Sequence, residues 1–310
     1  MDRVPYDEFG YFAENAEEFG IPYDAPPVVR REMVSLSDGR ELSALVWGVG
    51  EPVVVLVHGG AQNAHTWDTV MLSLGMPGVA IDLPGHGHSG PPAGAVTDVR
   101  RNAEDVMEVI DELAPLAPML VGMSLGGLTS FALIDKYPEQ FDTVLIVDIT
   151  PSVKRENAEH IAAFVNGPTS FESFDDLLDR TQQFNPTRST SSLRRGILHN
   201  AEQLEDGTWV WRHAKHRVFR QAGEPTAESR TYDQLWSGAE EHRGRLVLAR
   251  GLRDTSVVTD EEVADLRRRR PDVVVENFAA AGHSIQGDMP VELAALIAIE
   301  LDRVVEIELD

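Results

Sequence analysis

Short runs of apolar residues recur along the chain and alternate with longer stretches that have helical periodicity. The nearly continuous apolar runs are Val53–Val57, Val79–Ile81, Met119–Val121, Val144–Val147, Leu246–Ala249 and Val273–Val275. The helical stretches lie at about 97–113, 125–137, 259–270 and 289–302. Strands that are apolar at successive positions are buried on both faces, and intervening helices favour a parallel sheet covered on both sides. The pattern therefore predicts an α/β fold.

The first 50 residues follow a different pattern. Apolar segments at about 28–36 and 41–49 are joined by Ser37–Arg40, whose sequence SDGR favours a turn. These segments predict an antiparallel hairpin ahead of the parallel strands. Residues 1–27 are acidic and aromatic and end in two prolines, which predicts a short N-terminal arm.

The strand–helix alternation stops between about 151 and 243. Helical patterns occur there at 157–166, 173–184 and 189–204, separated by prolines and glycines, and no run reads as a buried strand. We interpret this stretch as a helical cap inserted over one end of the sheet. The core domain then consists of residues 28–150 and 244–310.

The charge balance narrows the choice of partner. The chain has 51 acidic and 27 basic residues, a formal net charge of −24, and no cysteine. An acidic surface repels nucleic-acid phosphates and anionic lipid heads, so we expect a small-molecule substrate and neither nucleic acid nor a membrane as partner. The same charge disfavours anionic substrates unless a local pocket overrides it. Residues 1–8 lack a basic, apolar leader pattern, so we expect a cytoplasmic protein, and a homo-oligomer stays open.

Three glycines surround one serine where the strand Met119–Val121 should end. The stretch Gly122–Gly127 reads GMSLGG and leads directly into a predicted helix. A strand that reverses sharply into a helix needs small neighbours around its turn residue. Ser124 would then project from the sheet edge as a nucleophile, with the N–H of Leu125 at a helix start as an oxyanion donor.

A serine nucleophile needs a base and an acid that orients the base. His283 is the only histidine after the last predicted strand, and we take it as the base. Asp254 follows the preceding strand and a glycine turn, and we take it as the acid. Asp148, at the end of the strand Val144–Val147, is the competing acid.

The loop after Val53–Val57 is the candidate source of a second oxyanion donor. It begins with His58–Ala61, sequence HGGA, in which glycine allows a backbone N–H to point into the site. We choose Gly60 for this donor and keep Ala61 as the alternative. His58 precedes the glycines, which favours a structural role.

One histidine-rich segment raises the question of a metal. Asp82–Ser89 reads DLPGHGHS and contains two histidines one residue apart. Its glycines and proline indicate a tight turn, and no further ligand cluster accompanies it. We therefore expect no metal, and the chemistry of a serine nucleophile with a histidine base needs no cofactor.

Five short motifs in a fixed order resemble the α/β-hydrolase family. They are His58–Gly60, the pattern D-x-P-G-x-G-x-S over Asp82–Ser89, G-x-S-x-G-G over Gly122–Gly127, Gly251 with Asp254, and Gly282–His283. The resemblance implies a mostly parallel eight-stranded sheet with a cap inserted after the sixth strand. It also implies that the cap lines a substrate pocket. The aromatic residues that are candidates for apolar pocket walls, or else for the cap core, are Trp67, Phe164, Trp209 and Trp211.

The expected reaction is hydrolysis through an acyl-enzyme on Ser124. The substrate would be an ester, lactone or thioester of small to medium size without charge. The same three residues also suit C–C bond hydrolysis, cofactor-free perhydrolysis or acyl transfer to an alcohol. Some proteins of this fold instead bind a ligand as receptors, and this is the alternative in which the chain is not an enzyme.

Overall fold

The computed structural model describes residues 3–94, 98–215 and 232–308. Its strands are β1 (Val29–Ser35), β2 (Glu41–Trp47), β3 (Val54–Val57), β4 (Gly78–Ile81), β5 (Met119–Met123), β6 (Thr143–Val147), β7 (Ser170–Phe171), β8 (Ala201–Gln203), β9 (Trp209–Trp211), β10 (Arg245–Gly251) and β11 (Val274–Phe278). Its α-helices are α1 (Phe12–Phe19), α2 (Asp68–Leu74), α3 (Val99–Leu113), α4 (Leu125–Lys136), α5 (Glu159–Val165), α6 (Phe174–Phe184), α7 (Thr190–Asn200), α8 (Trp236–Glu241), α9 (Asp260–Arg269), α10 (Ile285–Asp288) and α11 (Pro290–Glu308). No helix among these residues is both long enough and apolar enough to span a bilayer.

Eight strands form the central sheet in the order β1-β2-β4-β3-β5-β6-β10-β11. Strand β2 is antiparallel to both of its neighbours, and the other pairs are parallel. The central strands β3, β4, β5 and β6 are buried along their whole length, as their continuous apolar sequences require. The predicted α/β fold with a mostly parallel eight-stranded sheet is confirmed.

Helices cover both faces of this sheet. On one face the apolar core includes Val106 of α3, Phe131 of α4 and Leu266 of α9. On the other it includes Met71 of α2 and Ile297 of α11. The two cores together hold the parallel strands in register, so their carboxyl ends form one stable edge.

A cap lies between β6 and β10 in the chain. It contains α5, α6 and α7, and also a second sheet of three short antiparallel strands in the order β7-β9-β8. Sequence reasoning found the helices but not the strands, because two or three residues are too few to show a strand period. Part of the predicted cap, residues 216–231, lies outside the described residues. Trp236 of α8 packs in the core beside Phe131, so the chain has rejoined the core before residue 243.

The N-terminal arm contacts both the core and the cap. In the core, the ring of Phe12 packs edge-on against Trp47 at 5.1 Å. In the cap, Glu18 forms an ion pair with Arg195 of α7, and the hydroxyl of Tyr6 lies 3.0 Å from Nδ1 of His199. The arm is therefore a strap across the two units.

Beneath this strap, His65 lies between two carboxylates. Its Nδ1 is 2.9 Å from Asp68 Oδ2, and its Nε2 is 3.1 Å from Glu8 Oε1. Burial by itself lowers the pKa of His65, but the two carboxylates outweigh burial and raise it to about 9. His65 is thus an imidazolium at neutral pH, and it ties the arm to the core.

This ion cluster predicts a loss of stability at alkaline pH. The pKa of His65 is raised from 6.5 to about 9 in the folded protein, so its contribution is complete below pH 6.5 and disappears as the pH rises through 9. Thermal unfolding measured between pH 6 and 10 should show a steeper decline for the wild type than for His65→Gln. Parallel profiles would contradict the assignment of this titration to His65.

For two glycines that lie in helices, we predict opposite effects of substitution by alanine on the free energy of unfolding. A Cβ on Gly126 would lie 2.7 Å from the carbonyl oxygen of His58 and still closer to that of Val57, so Gly126→Ala should destabilise the fold by roughly 1–3 kcal/mol. A Cβ on Gly196 of α7 would meet no atom within 4 Å, so Gly196→Ala should stabilise it by about 0.4–1 kcal/mol. Urea denaturation of both variants checks the pair, and shifts of the same sign would count against the packing argument.

Candidate active site

Ser124 occupies a strained turn between β5 and α4. Its φ of 51° and ψ of −114° are unusual for a residue with a side chain. The turn can close only with glycine at position 122, because a Cβ there would lie only 2.6 Å from the carbonyl oxygen of Gly126. Such strain costs of the order of 1–3 kcal/mol and is characteristic of functional positions. The predicted strand–turn–helix arrangement is present at this serine.

His283 lies in the loop between β11 and α10, and its partner is Asp148. Nδ1 of His283 is 2.9 Å from Oδ2 of Asp148, which is fully buried directly after β6. The other ring nitrogen, Nε2, is buried without a hydrogen-bond partner in the described residues. A histidine whose Nδ1–H is held by a carboxylate presents Nε2 as a base.

Asp148 is also the acceptor for the end of β10 and the loop that follows it. Its Oδ1 accepts hydrogen bonds from the N–H of Gly251 at 3.0 Å and the hydroxyl of Ser256 at 2.6 Å. Its Oδ2 accepts the N–H of Val257 at 3.0 Å. These donors satisfy a buried carboxylate that would otherwise be costly to desolvate.

Asp254 does not contact His283, which corrects the prediction from chain order. It is exposed in the turn after β10, at the rim of the cavity that contains Ser124. The N–H of Arg253 donates to Ala281 at 3.0 Å, and this bond ties the turn to the loop that carries His283. The buried position beside the imidazole is occupied by Asp148, the alternative that the sequence left open.

The two predicted oxyanion donors lie beside Ser124. Leu125 is the first residue of α4, so its N–H has no acceptor within the helix. Gly60 and Ala61 form the turn opposite and line the same cavity as Ser124. A Cβ on Gly59 would lie 3.2 Å from Cβ of Ser124, so glycine there lets this loop approach the serine. Ala61 has a positive φ of 61°, and both Gly60 and Ala61 stay candidates for the second donor.

The serine cavity, which Ser124 and His283 share, has a volume of about 490 Å³. Of the four aromatic residues proposed as walls, Phe164 lines it. Trp211 packs edge-on against Phe164 at 5.9 Å and lines a second, adjoining cavity of about 190 Å³. Trp209 is buried against Phe174 in the cap, and Trp67 is fully buried in the core.

Sequence reasoning missed several residues that line the serine cavity. They include His160, Phe184, Asn185, Arg188 and Arg253. All but Arg253 belong to the cap, where the sequence shows helices but not the direction of their side chains. Only an excess of aromatic and polar residues in this segment could have drawn attention to them.

The predicted structural role of His58 has a clear geometric basis. Its Nδ1 is 2.7 Å from the carbonyl oxygen of Gly59, and its Nε2 accepts the N–H of Leu83 at 3.0 Å. Both ring nitrogens are therefore occupied in joining two loops. Asp82 is likewise occupied, because its carboxylate accepts the N–H of Ala64 and pairs with Arg31.

Among the described residues, one cluster brings three potential metal ligands close together. His65, Asp68 and His199 offer atoms within 4.8 Å of one another beside the adjoining cavity. The two imidazole rings, however, are stacked at 3.8 Å with only 14° between their planes. A bound ion lies near the plane of each imidazole that ligates it, so one ion cannot suit two stacked rings. This arrangement fits a hydrogen-bonded charge cluster better than a metal site.

Comparisons with known proteins show which family and which structures the chain is similar to. A family model described as the alpha/beta hydrolase family matches residues 54–296. The chain is 39% identical to the esterase Rv0045c of Mycobacterium tuberculosis over 306 residues, 96% of each chain. A structure of that esterase, from work on its inhibition by transition metals, has a TM-score of 0.82 and covers 96% of this chain and 100% of its own.

A more distant structure shares the fold. E-2-(Acetamidomethylene)succinate hydrolase superposes with a TM-score of 0.76 at 21% identity, covering 89% of this chain and 100% of its own. A curated 2-(acetamidomethylene)succinate hydrolase of Mesorhizobium japonicum is 30% identical over 128 residues, 41% of this chain and 45% of its own.

We predict that substitution of Asp148 and of Asp254 by asparagine has very different effects on kcat. Asp148→Asn removes the charge beside His283 and should lower kcat for ester hydrolysis by about 10³- to 10⁴-fold, because the imidazolium loses its partner. Asp254→Asn changes an exposed side chain and should leave kcat within about threefold, the range of a surface change without a reacting partner. Steady-state kinetics with 4-nitrophenyl butyrate compares them, and thermal unfolding shows whether Asp148→Asn remains folded. A large loss confined to the Asp254 variant would restore the prediction from chain order.

Proposed function

The chain belongs to the α/β-hydrolase family, within which it is a serine hydrolase that acts on esters, and we propose that Ser124, His283 and Asp148 perform this reaction. The hydrogen bond between His283 and the buried carboxylate of Asp148 is the observation that carries the proposal. It leaves Nε2 of His283 in the cavity that it shares with Ser124.

Acylation begins with proton transfer from the Ser124 hydroxyl to Nε2 of His283. The serine oxygen attacks the ester carbonyl, and the negative charge that develops on the carbonyl oxygen is bound by the N–H groups of Leu125 and Gly60. Asp148 holds the imidazole in the required tautomer and stabilises the imidazolium that forms. The imidazolium then protonates the departing alcohol, which leaves an acyl group on Ser124.

Deacylation reverses these roles with water as the nucleophile. His283 removes a proton from water, which attacks the acyl carbonyl, and the same two N–H groups bind the second oxyanion. Collapse of this intermediate returns the proton to Ser124 and releases the acid. Every group in the cycle belongs to the chain, and the reaction as written needs no added cofactor.

The size and lining of the serine cavity limit the substrate. A volume of about 490 Å³ suits an acyl group of small to medium size, and Phe164 and Phe184 supply apolar walls. Esters, lactones and thioesters share the carbonyl chemistry that Ser124 requires. C–C bond hydrolysis, perhydrolysis and acyl transfer use the same groups, but no contact among the described residues of the cavity favours them. A cytoplasmic location and a possible homo-oligomer stay predictions.

Two replacements of Ser124 test the proposal. Ser124→Ala should lower the hydrolysis of 4-nitrophenyl acetate and butyrate by at least about 10³-fold and abolish labelling by a fluorophosphonate, because both need the hydroxyl. Ser124→Gly lacks the hydroxyl as well, but it should unfold at a higher temperature than Ser124→Ala because glycine tolerates a φ of 51°. Full activity in either folded variant would remove Ser124 from the mechanism.

A further inference from the structure

Arg188 lies where the two cavities meet. It belongs to the segment between α6 and α7 and lines both the serine cavity and the adjoining cavity. Its Nη2 donates to the hydroxyl of Ser192 at 2.6 Å. Its guanidinium also packs so closely on Gly287 of α10 that a Cβ there would collide with it. The cation is therefore held between the cap and the segment that follows His283.

The charge of Arg188 has no matching carboxylate in the described residues. Neighbouring Arg195 pairs with Glu14 and Glu18, whereas no carboxylate of the described chain lies within ion-pair distance of Arg188. Burial lowers the pKa of Arg188, and the more distant Asp288 and Glu18 offset only part of this effect. A half-buried cation without a paired carboxylate costs stability, so its presence in the serine cavity favours a role in binding.

The polar share of the lining is larger in the adjoining cavity behind Arg188 than in the serine cavity. Four of the residues that line it carry a buried side-chain atom without a hydrogen-bond partner in the described residues. These atoms are Asp68 Oδ1, Arg195 Nε, His199 Nε2 and Gln286 Oε1. A space with this lining suits a polar, hydrated group, whereas the aromatic walls of the serine cavity suit a hydrocarbon segment.

We propose that Arg188 determines specificity by binding a carboxylate carried by the ester substrate. This inference rests on the proposed function of Ser124 and refines its substrate class from an uncharged ester to a carboxylate-bearing one. A guanidinium offers two parallel N–H donors to a carboxylate, and such charge-assisted bonds strengthen away from bulk water. The net charge of −24 slows the approach of an anion from a distance, but the local cation governs binding once the substrate has entered.

Matched pairs of esters isolate this interaction and locate the carboxylate. On the acyl side, mono-4-nitrophenyl adipate is compared with 4-nitrophenyl hexanoate. On the alcohol side, 4-carboxyphenyl butyrate is compared with phenyl butyrate. The ratio of kcat/KM within each pair is measured for the wild type, Arg188→Gln and Arg188→Lys, and for Arg194→Gln as the control. Arg194 is an exposed arginine of the cap helix α7 that lines neither cavity.

In at least one pair, the wild type should prefer the carboxylate-bearing ester. Arg188→Gln should reduce that preference by roughly 10- to 100-fold, chiefly through KM, because one charge-assisted contact is lost. Arg188→Lys should retain part of it, and Arg194→Gln should change it by less than about threefold because exposed charges outside the cavity interact weakly with the substrate. The pair that responds shows on which side of the ester the carboxylate lies.

Two other outcomes overturn the proposal in distinguishable ways. If the wild type hydrolyses neutral esters but neither pair responds to Arg188→Gln, Arg188 has no such role and the proposed function of Ser124 stands. If the wild type hydrolyses no ester and Ser124 is not labelled by a fluorophosphonate, both proposals fail together. If Arg188→Gln does not fold, the ratio of kcat/KM measured for the wild type decides. A wild type that shows no preference for the carboxylate-bearing ester, or a preference that high salt does not weaken, rejects the carboxylate site.

Discussion

A single buried carboxylate organises the end of the sheet where the candidate site lies. Asp148 accepts hydrogen bonds from the end of β10 and from the loops after β10 and β11. The donors are Gly251, Ser256, Val257 and His283. Because a buried charge is stable only when its acceptor positions are filled, these two loops must converge on it. The position of the imidazole in the serine cavity is therefore a consequence of the hydrogen bonds that this one buried aspartate requires.

Ser124 and Asp148 share an unusual backbone conformation. Both have a positive φ, and both directly follow neighbouring parallel strands. The N–H of Ser124 donates to Val147 and the N–H of Asp148 to Ala249, so each continues the hydrogen-bond ladder of the next strand. The sheet thus supplies the interactions that hold two strained residues in place. Ser124 lines the serine cavity, and the carboxylate of Asp148 reaches the imidazole of His283.

The sequence predicts those parts of the site that depend on the backbone, and it fails where side-chain direction decides. Glycines around Ser124 are required by close chain approach, and His283 follows from strand order, so both were found. Asp148 and Asp254 each follow a strand, and the choice between them depends on the φ of Asp148 and on burial, neither of which leaves a periodic pattern. The position of Arg188 depends on Gly287, which is about a hundred residues away in the chain. The short cap strands were missed because strand alternation needs more than three residues to be seen.

The strap formed by the N-terminal arm has a consequence for protein engineering. Cap helix α7 receives ion pairs from Glu14 and Glu18, although more than 170 residues separate them from Arg195 in the chain. The position of the cap thus depends on residues from two distant parts of the sequence, the cap itself and the N-terminal arm. A chimera that exchanges the cap with that of a homologue would need to carry the arm with it, because the graft would otherwise place α7 against carboxylates selected for a different surface.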